Sequence, residues 1–137
     1  MNMFRIEREI FTKTANAVLA DYPTCRIVNA FIYAPDNFPC VAIVFSDDGM
    51  TYKMRDSSKA DNFRDISITI DVFSNKQDGK KTEAEDIMQT VIDTLIPYNF
   101  TMVSCKPASN INNASNYRIT ATFAATVDKN GKIYTRR

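Results

Sequence analysis

The sequence predicts an α+β fold: a single domain over residues 1–137, with an antiparallel or mixed β-sheet packed against two α-helices. Three observations carry this. Residues 63–75 and 117–128 alternate apolar and polar side chains with the period of two of a strand that buries one face. Residues 3–21 and 80–96 repeat apolar residues at steps of three and four, the pattern of an amphipathic helix. Turn-forming clusters separate these runs, and no linker or internal repeat divides the chain. A chain of this length buries roughly two-thirds of its unfolded surface, enough for one core.

Taken in order, residues 3–21 form the first predicted helix. Ile6, Ile10, Ala17 and Leu19, with Phe4, Phe11, Ala15 and Val18, supply a broad apolar surface, and Arg5, Glu7, Arg8, Glu9 and Lys13 a wet one. The mixed charge separates it from a basic membrane-surface helix. Tyr22-Pro23 ends it, because the residue before proline is pushed out of the α region. Residues 25–33 read as a strand, 34–38 as a loop, and 40–46 as a second strand. Its run 41–45 is apolar at every position, which predicts burial on both faces near the sheet centre. Asp47-Asp48-Gly49 signals a turn. It lacks the alternating ligands and distal glutamate of a calcium loop, so a solvated turn is expected there. Residues 50–54 alternate weakly, as a short edge strand would, and 55–61 read as a solvated loop.

In the strand over 63–75, Ile66, Ile68, Ile70 and Val72 point one way and Ser67, Thr69, Asp71 and Phe73 the other. The helix that follows is entered through Gly79 or through a capping box of Thr82 and Glu85. Either start lies within three residues of Lys80 and sets Glu83, Glu85 and Asp86 near the positive end of the helix. Pro97 closes it. Residues 100–105 read as a strand with Phe100, Met102 and Ser104 on one face, and 106–116 as a surface loop rich in Asn, Ser and Ala. In 117–128, Ile119, Ala121, Phe123, Ala125 and Val127 form one face. Lys129-Asn130-Gly131-Lys132 is a hairpin signal that returns 133–137 against that strand. The predicted order is α-β-β-(β)-β-α-β-β-β.

The chemistry of the side chains excludes more than it suggests. The chain has no histidine, which removes Ser-His-Asp and Cys-His catalysis and the HExxH zinc sites. Its three cysteines are odd in number, widely spaced and without CxxC, so a disulfide framework is not expected and a reducing, intracellular origin is. The first residues are charged and lack the apolar segment of a signal peptide. The longest apolar run is far too short to span a bilayer. Three glycines stand singly at turns, so there is no phosphate-cradling loop. A net charge of +1 is unlike a dedicated nucleic-acid binder. Phe73 and Tyr117 are the aromatics an RNA-binding sheet would need exposed, but no RNP-like motif accompanies them, so core or interface roles are expected. No catalytic, cofactor-binding or metal-ligating residue is predicted, and no enzymatic activity.

Several stretches carry a family resemblance: FPCVAIVFSDDG, ISITIDVFSNKQDGKKTEAEDIMQTVIDTL, YNFTM, and YRITATFAATVDKNGKIYTRR after an Asn-rich loop. The strand ending in Ser-Asn, the Gly-Lys-Lys turn and the helix entered through Glu-Ala are the most telling. The chain resembles the tail terminator, or tail completion, proteins of long-tailed bacteriophages. Head–tail connector (neck) proteins of the same size and class share much of the pattern. The resemblance implies a virion protein, assembled in the host bacterial cytoplasm and without membrane contact. It would form a homo-oligomeric ring, commonly a hexamer, that ends growth of the tail tube and presents a surface to the head–tail connector. DNA would pass through the lumen without sequence-specific binding. Candidate contacts with neighbouring subunits, tail tube protein or connector are Asp47, Asp48, Tyr52, Arg55, Lys59, Lys106, Asn110, Tyr134 and Arg136. All but Arg136, which follows the second of them, lie on strand edges 51–54 and 133–135 and on loops 47–61 and 106–116, with Arg55, Lys59 and Lys106 as candidate lumen residues. The competing reading is a stand-alone nucleic-acid or peptide-binding module.

Overall fold

The computed structural model describes residues 3–30, 37–50, 63–108, 117–128 and 133–135. The first helix, α1, spans Met3–Asp21 and buries Ile6, Ile10, Thr14 and Val18, spaced by four along one face. Leu19, expected on the apolar surface, is 37% exposed instead. It follows Val18 by one residue, a rotation of about 100° around the helix and off the buried stripe. No helix among the described residues is long and apolar enough to cross a membrane.

The strands are β1 (Arg26–Val28), β2 (Cys40–Met50), β3 (Phe63–Ser74), β4 (Thr101–Ala108), β5 (Tyr117–Asp128) and β6 (Ile133–Thr135). They form one sheet in the order β1-β2-β3-β5-β4, with β6 also paired to β5. Among the described residues only β1 and β2 run parallel; the other pairings are antiparallel, which makes the sheet mixed. β3 holds one side of β5 along its whole length, so β4 and β6 share the other side, one after the other. The described elements follow the predicted order, and the optional strand at 51–54 lies outside the described residues.

Register decides which residues meet. Ile43, Ile70 and Ala121 pair in one row across β2, β3 and β5; Val41, Val72 and Ile119 form the next. With Ile66, Ile68, Phe123, Ala125 and Val127 they make the apolar face that carries both helices. The second helix, α2, spans Lys80–Leu95 and sets Ala84, Ile87, Met88, Val91 and Leu95 into this core. Its entry is Gly79, at φ 91°, a left-handed conformation that glycine adopts without steric cost. The Glu83 amide donates to the Gly79 carbonyl at 2.9 Å. The alternative Thr82–Glu85 capping box does not form, since the N-terminus carries no side-chain cap. The Ser74 hydroxyl donates to Glu83 Oε1 at 2.8 Å, joining the end of β3 to the first turn of α2.

Three strands differ in extent from expectation. β1 is confined to Arg26–Val28 where a strand over 25–33 was expected; residues 31–33 of that stretch lie outside the described residues. β2 runs through the expected turn at 47–49, because Asp47 pairs with Ile66 and Gly49 with Asp65, leaving Asp48 as the extra residue of a bulge. A bulge absorbs turn-favouring residues without ending a ladder whose partner strand continues. β4 reaches Ala108, so Lys106 and Pro107 are in a strand and not in a loop. A second bulge, between Met102 and Ser104, places Met102 opposite Phe123 and Ser104 opposite Thr122, on different faces. The predicted shared face of Met102 and Ser104 is thereby lost. Within β2, Ile43 is buried, but Val44 and Phe45 are only half-buried, since β1 covers no more than Cys40–Ala42.

Beyond α2 the chain makes a 3-10 turn at Ile96–Tyr98, and Asn99 takes φ 70°. The Asn99 amide side chain donates to the Ile133 carbonyl at 3.0 Å, tying this corner to β6. Leu95, 1% exposed, is expected to lose about 2–5 kcal/mol of stability on substitution by alanine, whereas Val103→Ala should change it by less than about 0.5 kcal/mol. Urea denaturation of both variants against the wild type measures the contrast.

Candidate functional site

The sheet face away from the helices is built from the polar half of the alternation. Asp65, Ser67, Thr69 and Asp71 on β3 lie beside Arg118, Thr120, Thr122 and Thr126 on β5. Asp71 is 2% exposed, and its Oδ1 accepts from Arg118 Nη2 at 3.1 Å, from Arg118 Nε at 3.2 Å and from the Thr120 hydroxyl. The Arg118 guanidinium also lies over the Phe73 ring, 5.5 Å from its centroid. Further along, the Thr126 hydroxyl donates to Asp65 Oδ1 at 2.8 Å. A buried carboxylate requires such donors, because an unpaired one would bear the full cost of lost hydration. The network crosses from β3 to β5 and holds their register.

Phe73 is wholly buried beneath Arg118, and Tyr117 is half-buried against the helix-side core. Neither ring stands bare on a sheet face, which fits the core or interface role expected for both. Among the described residues no group of three or more His, Cys, Asp or Glu side chains could hold a metal ion.

No family model matches the chain, and no curated protein matches it. What the molecule offers a partner therefore lies in its own exposed surfaces. Of the nine predicted contact residues, Tyr52, Arg55, Lys59, Asn110 and Arg136 lie outside the described residues. Asp47 and Asp48 sit in β2, at the bulge. Lys106 is exposed on β4, opposite Thr120, and Tyr134 is on β6, opposite Thr126. Lys106 and Tyr134 share the outer side of β5, six residues or roughly 20 Å apart at the strand rise. β3 and β5 separate both from Asp47. The predicted contacts thus fall on two margins of the sheet and do not converge on one pocket.

A different set of residues does cluster. Ile96, Tyr98, Met102 and Val103 are 44%, 37%, 42% and 63% exposed, within eight residues of chain. They span the 3-10 turn and the first half of β4. Beside them a groove of about 590 Å³ runs between Ile6 and Ile10 of α1, Pro97 and Tyr98 of the turn, and Ile133 of β6. Every residue over 102–107 is exposed. One signal could have pointed to this surface. Met102 and Val103 are adjacent apolar residues, and adjacent strand residues face opposite ways, so the two cannot both enter one core face.

The three cysteines form no disulfide. Cys25 and Cys40 are buried, and burial first, with Cys40 and Glu83 adding, pushes the Cys25 thiol up to about 12. Cys105 lies on the exposed edge strand, and its thiol is raised by partial burial of the sulfur and then by Glu85.

Substituting Asp71 by alanine removes the acceptor shared by Arg118 and Thr120, and should cost about 1–3 kcal/mol in a urea melt. In the folded chain, a thiol-specific disulfide reagent should titrate Cys105 alone. Its rate should climb with pH beyond the ordinary thiol range, because the reactive thiolate is disfavoured there. Cys25 and Cys40 should react only after denaturation.

Proposed function

We propose that the chain is a structural subunit of a long-tailed phage tail, with no enzymatic activity. It assembles as a ring, commonly of six copies, on the end of the tail tube, stops the tube's growth and offers a surface to the head–tail connector. The observation that carries this reading is an exposed edge strand beside an apolar cluster, on a domain whose two helices cover only one sheet face. A closed ring needs two different surfaces of each subunit to meet, and sheet margins supply such surfaces. The stretch SNKQDGKK, on which the family resemblance rests most, forms a defined structural device: Ser74 bonds to Glu83, and Gly79 admits α2.

In this arrangement Asp47, Asp48, Lys106 and Tyr134 stand at subunit or partner contacts. The partners are the tail tube protein and the connector, with DNA passing through the lumen. The test is negative-stain electron microscopy with light scattering of the purified chain, alone and with assembled tail tubes. Rings with a central channel, or caps confined to tube ends that block further growth, are the expected result. A protein that stays monomeric and leaves tube ends bare overturns the reading. Binding to the head connector without any effect on tube growth would favour the neck-protein alternative.

A further inference from the structure

We propose that the 101–104 half of β4 is the surface on which a second copy of this chain docks, adding its β1 to the sheet in antiparallel sense. This rests on the ring reading and names the contact that would build it.

Among the described residues β4 is bonded to β5 on one side only, and residues 102–107 are exposed, as an edge with its outer amides and carbonyls toward solvent would be. Such an edge is a template for another chain unless it is guarded. The two halves of β4 differ in this respect. Lys106 and Pro107 guard the far half, with a charge and with a residue that lacks an amide hydrogen. The near half carries Met102 and Val103, 42% and 63% exposed, where a guarded edge would carry charge. The bulge at Val103 leaves that residue outside the ladder with β5. Ile96 and Tyr98, also exposed, extend the apolar surface toward the turn that leads into β4.

The occupant follows from the topology. The opposite margin of the same sheet is β1, three residues long, which pairs only with β2 among the described residues. Its Ile27 and Val28 are half-buried and apolar. β1 runs with β2, β2 runs with β5, and β4 runs against β5, so β4 and β1 point in opposite directions. A copy turned about an axis lying along the strands therefore brings its β1 antiparallel to β4. The three residues of β1 suit the unguarded half and stop short of Lys106 and Pro107. The two surfaces are different, so repeating the contact adds one copy after another and closes a ring where the rotation between copies returns to the start; pairing β4 with β4 would instead end at a dimer.

The test uses the full chain in two arms. Val103→Lys puts a charge on the exposed edge and should weaken self-association by about tenfold or more in sedimentation, with an unchanged circular dichroism spectrum and melting temperature. In a Cys105→Ser background, V103C and V28C proteins are mixed and oxidised. The expected product is a disulfide between the two different variants, and little product from either variant alone. Rings that persist unchanged in Val103→Lys overturn this contact and leave the ring reading standing. A disulfide formed by V103C alone, with a dimer in solution, overturns both the β1 pairing and the ring. A wild-type chain monomeric at every concentration and on tube ends overturns both as well.

Discussion

The antiparallel ladder between β3 and β5 is the constraint on which the rest of the molecule depends. It pairs Phe63 with Asp128 at one end and Ser74 with Tyr117 at the other, without a register shift. Side chains alternate across a strand, so this one alignment assigns every residue of both strands to a face. A slip of one residue would turn Ile66, Ile68, Ile70 and Val72 away from the helices and put Asp65, Ser67 and Asp71 beneath them. β2 and β4 pair onto the outer sides of the ladder, and α2 packs on the face that it makes apolar.

Polar chemistry on the other face reinforces the same alignment. Asp71 accepts from Arg118 and Thr120, each on the neighbouring strand, and Asp65 accepts from Thr126. In a slipped register these carboxylates would face apolar side chains and lose their donors. Packing on one face and paired polar groups on the other thus penalise the same error. The stiffness sits at the centre of the sheet, while the margins among the described residues are a strand of three residues, β1, and the exposed strand β4. The assembly we propose would use this division, with a rigid middle to hold the shape and edges for neighbours.

Much of this was legible in the residues, for physical reasons. α1 and α2 were readable because their apolar periods are long and are ended by proline or entered at glycine. β3 and β5 were readable because they alternate over twelve residues each. Less regular features misled. Asp47-Asp48-Gly49 has the composition of a turn, but a bulge accommodates it because β3 continues alongside. Lys106-Pro107 has the composition of a loop, but β5 holds it in register. The capping box of Thr82 and Glu85 has the right spacing, but Gly79 had already opened the helix. In each case local propensity was outweighed by a partner that the local sequence does not name.

The sequence by itself determined the class of fold, the order of its elements and the absence of histidine chemistry, because these follow from periodicity and composition. Only the tertiary structure decided which side chains remain at the surface. Met102 was expected on one strand face with Phe100 and Ser104, and Phe73 belonged to the polar face of the alternation. In the folded chain Met102 lies bare on an edge strand, and Phe73 lies under a guanidinium. Periodicity states that a strand has two faces. Strand order and register determine which strand is last in the sheet, and so which residues meet water.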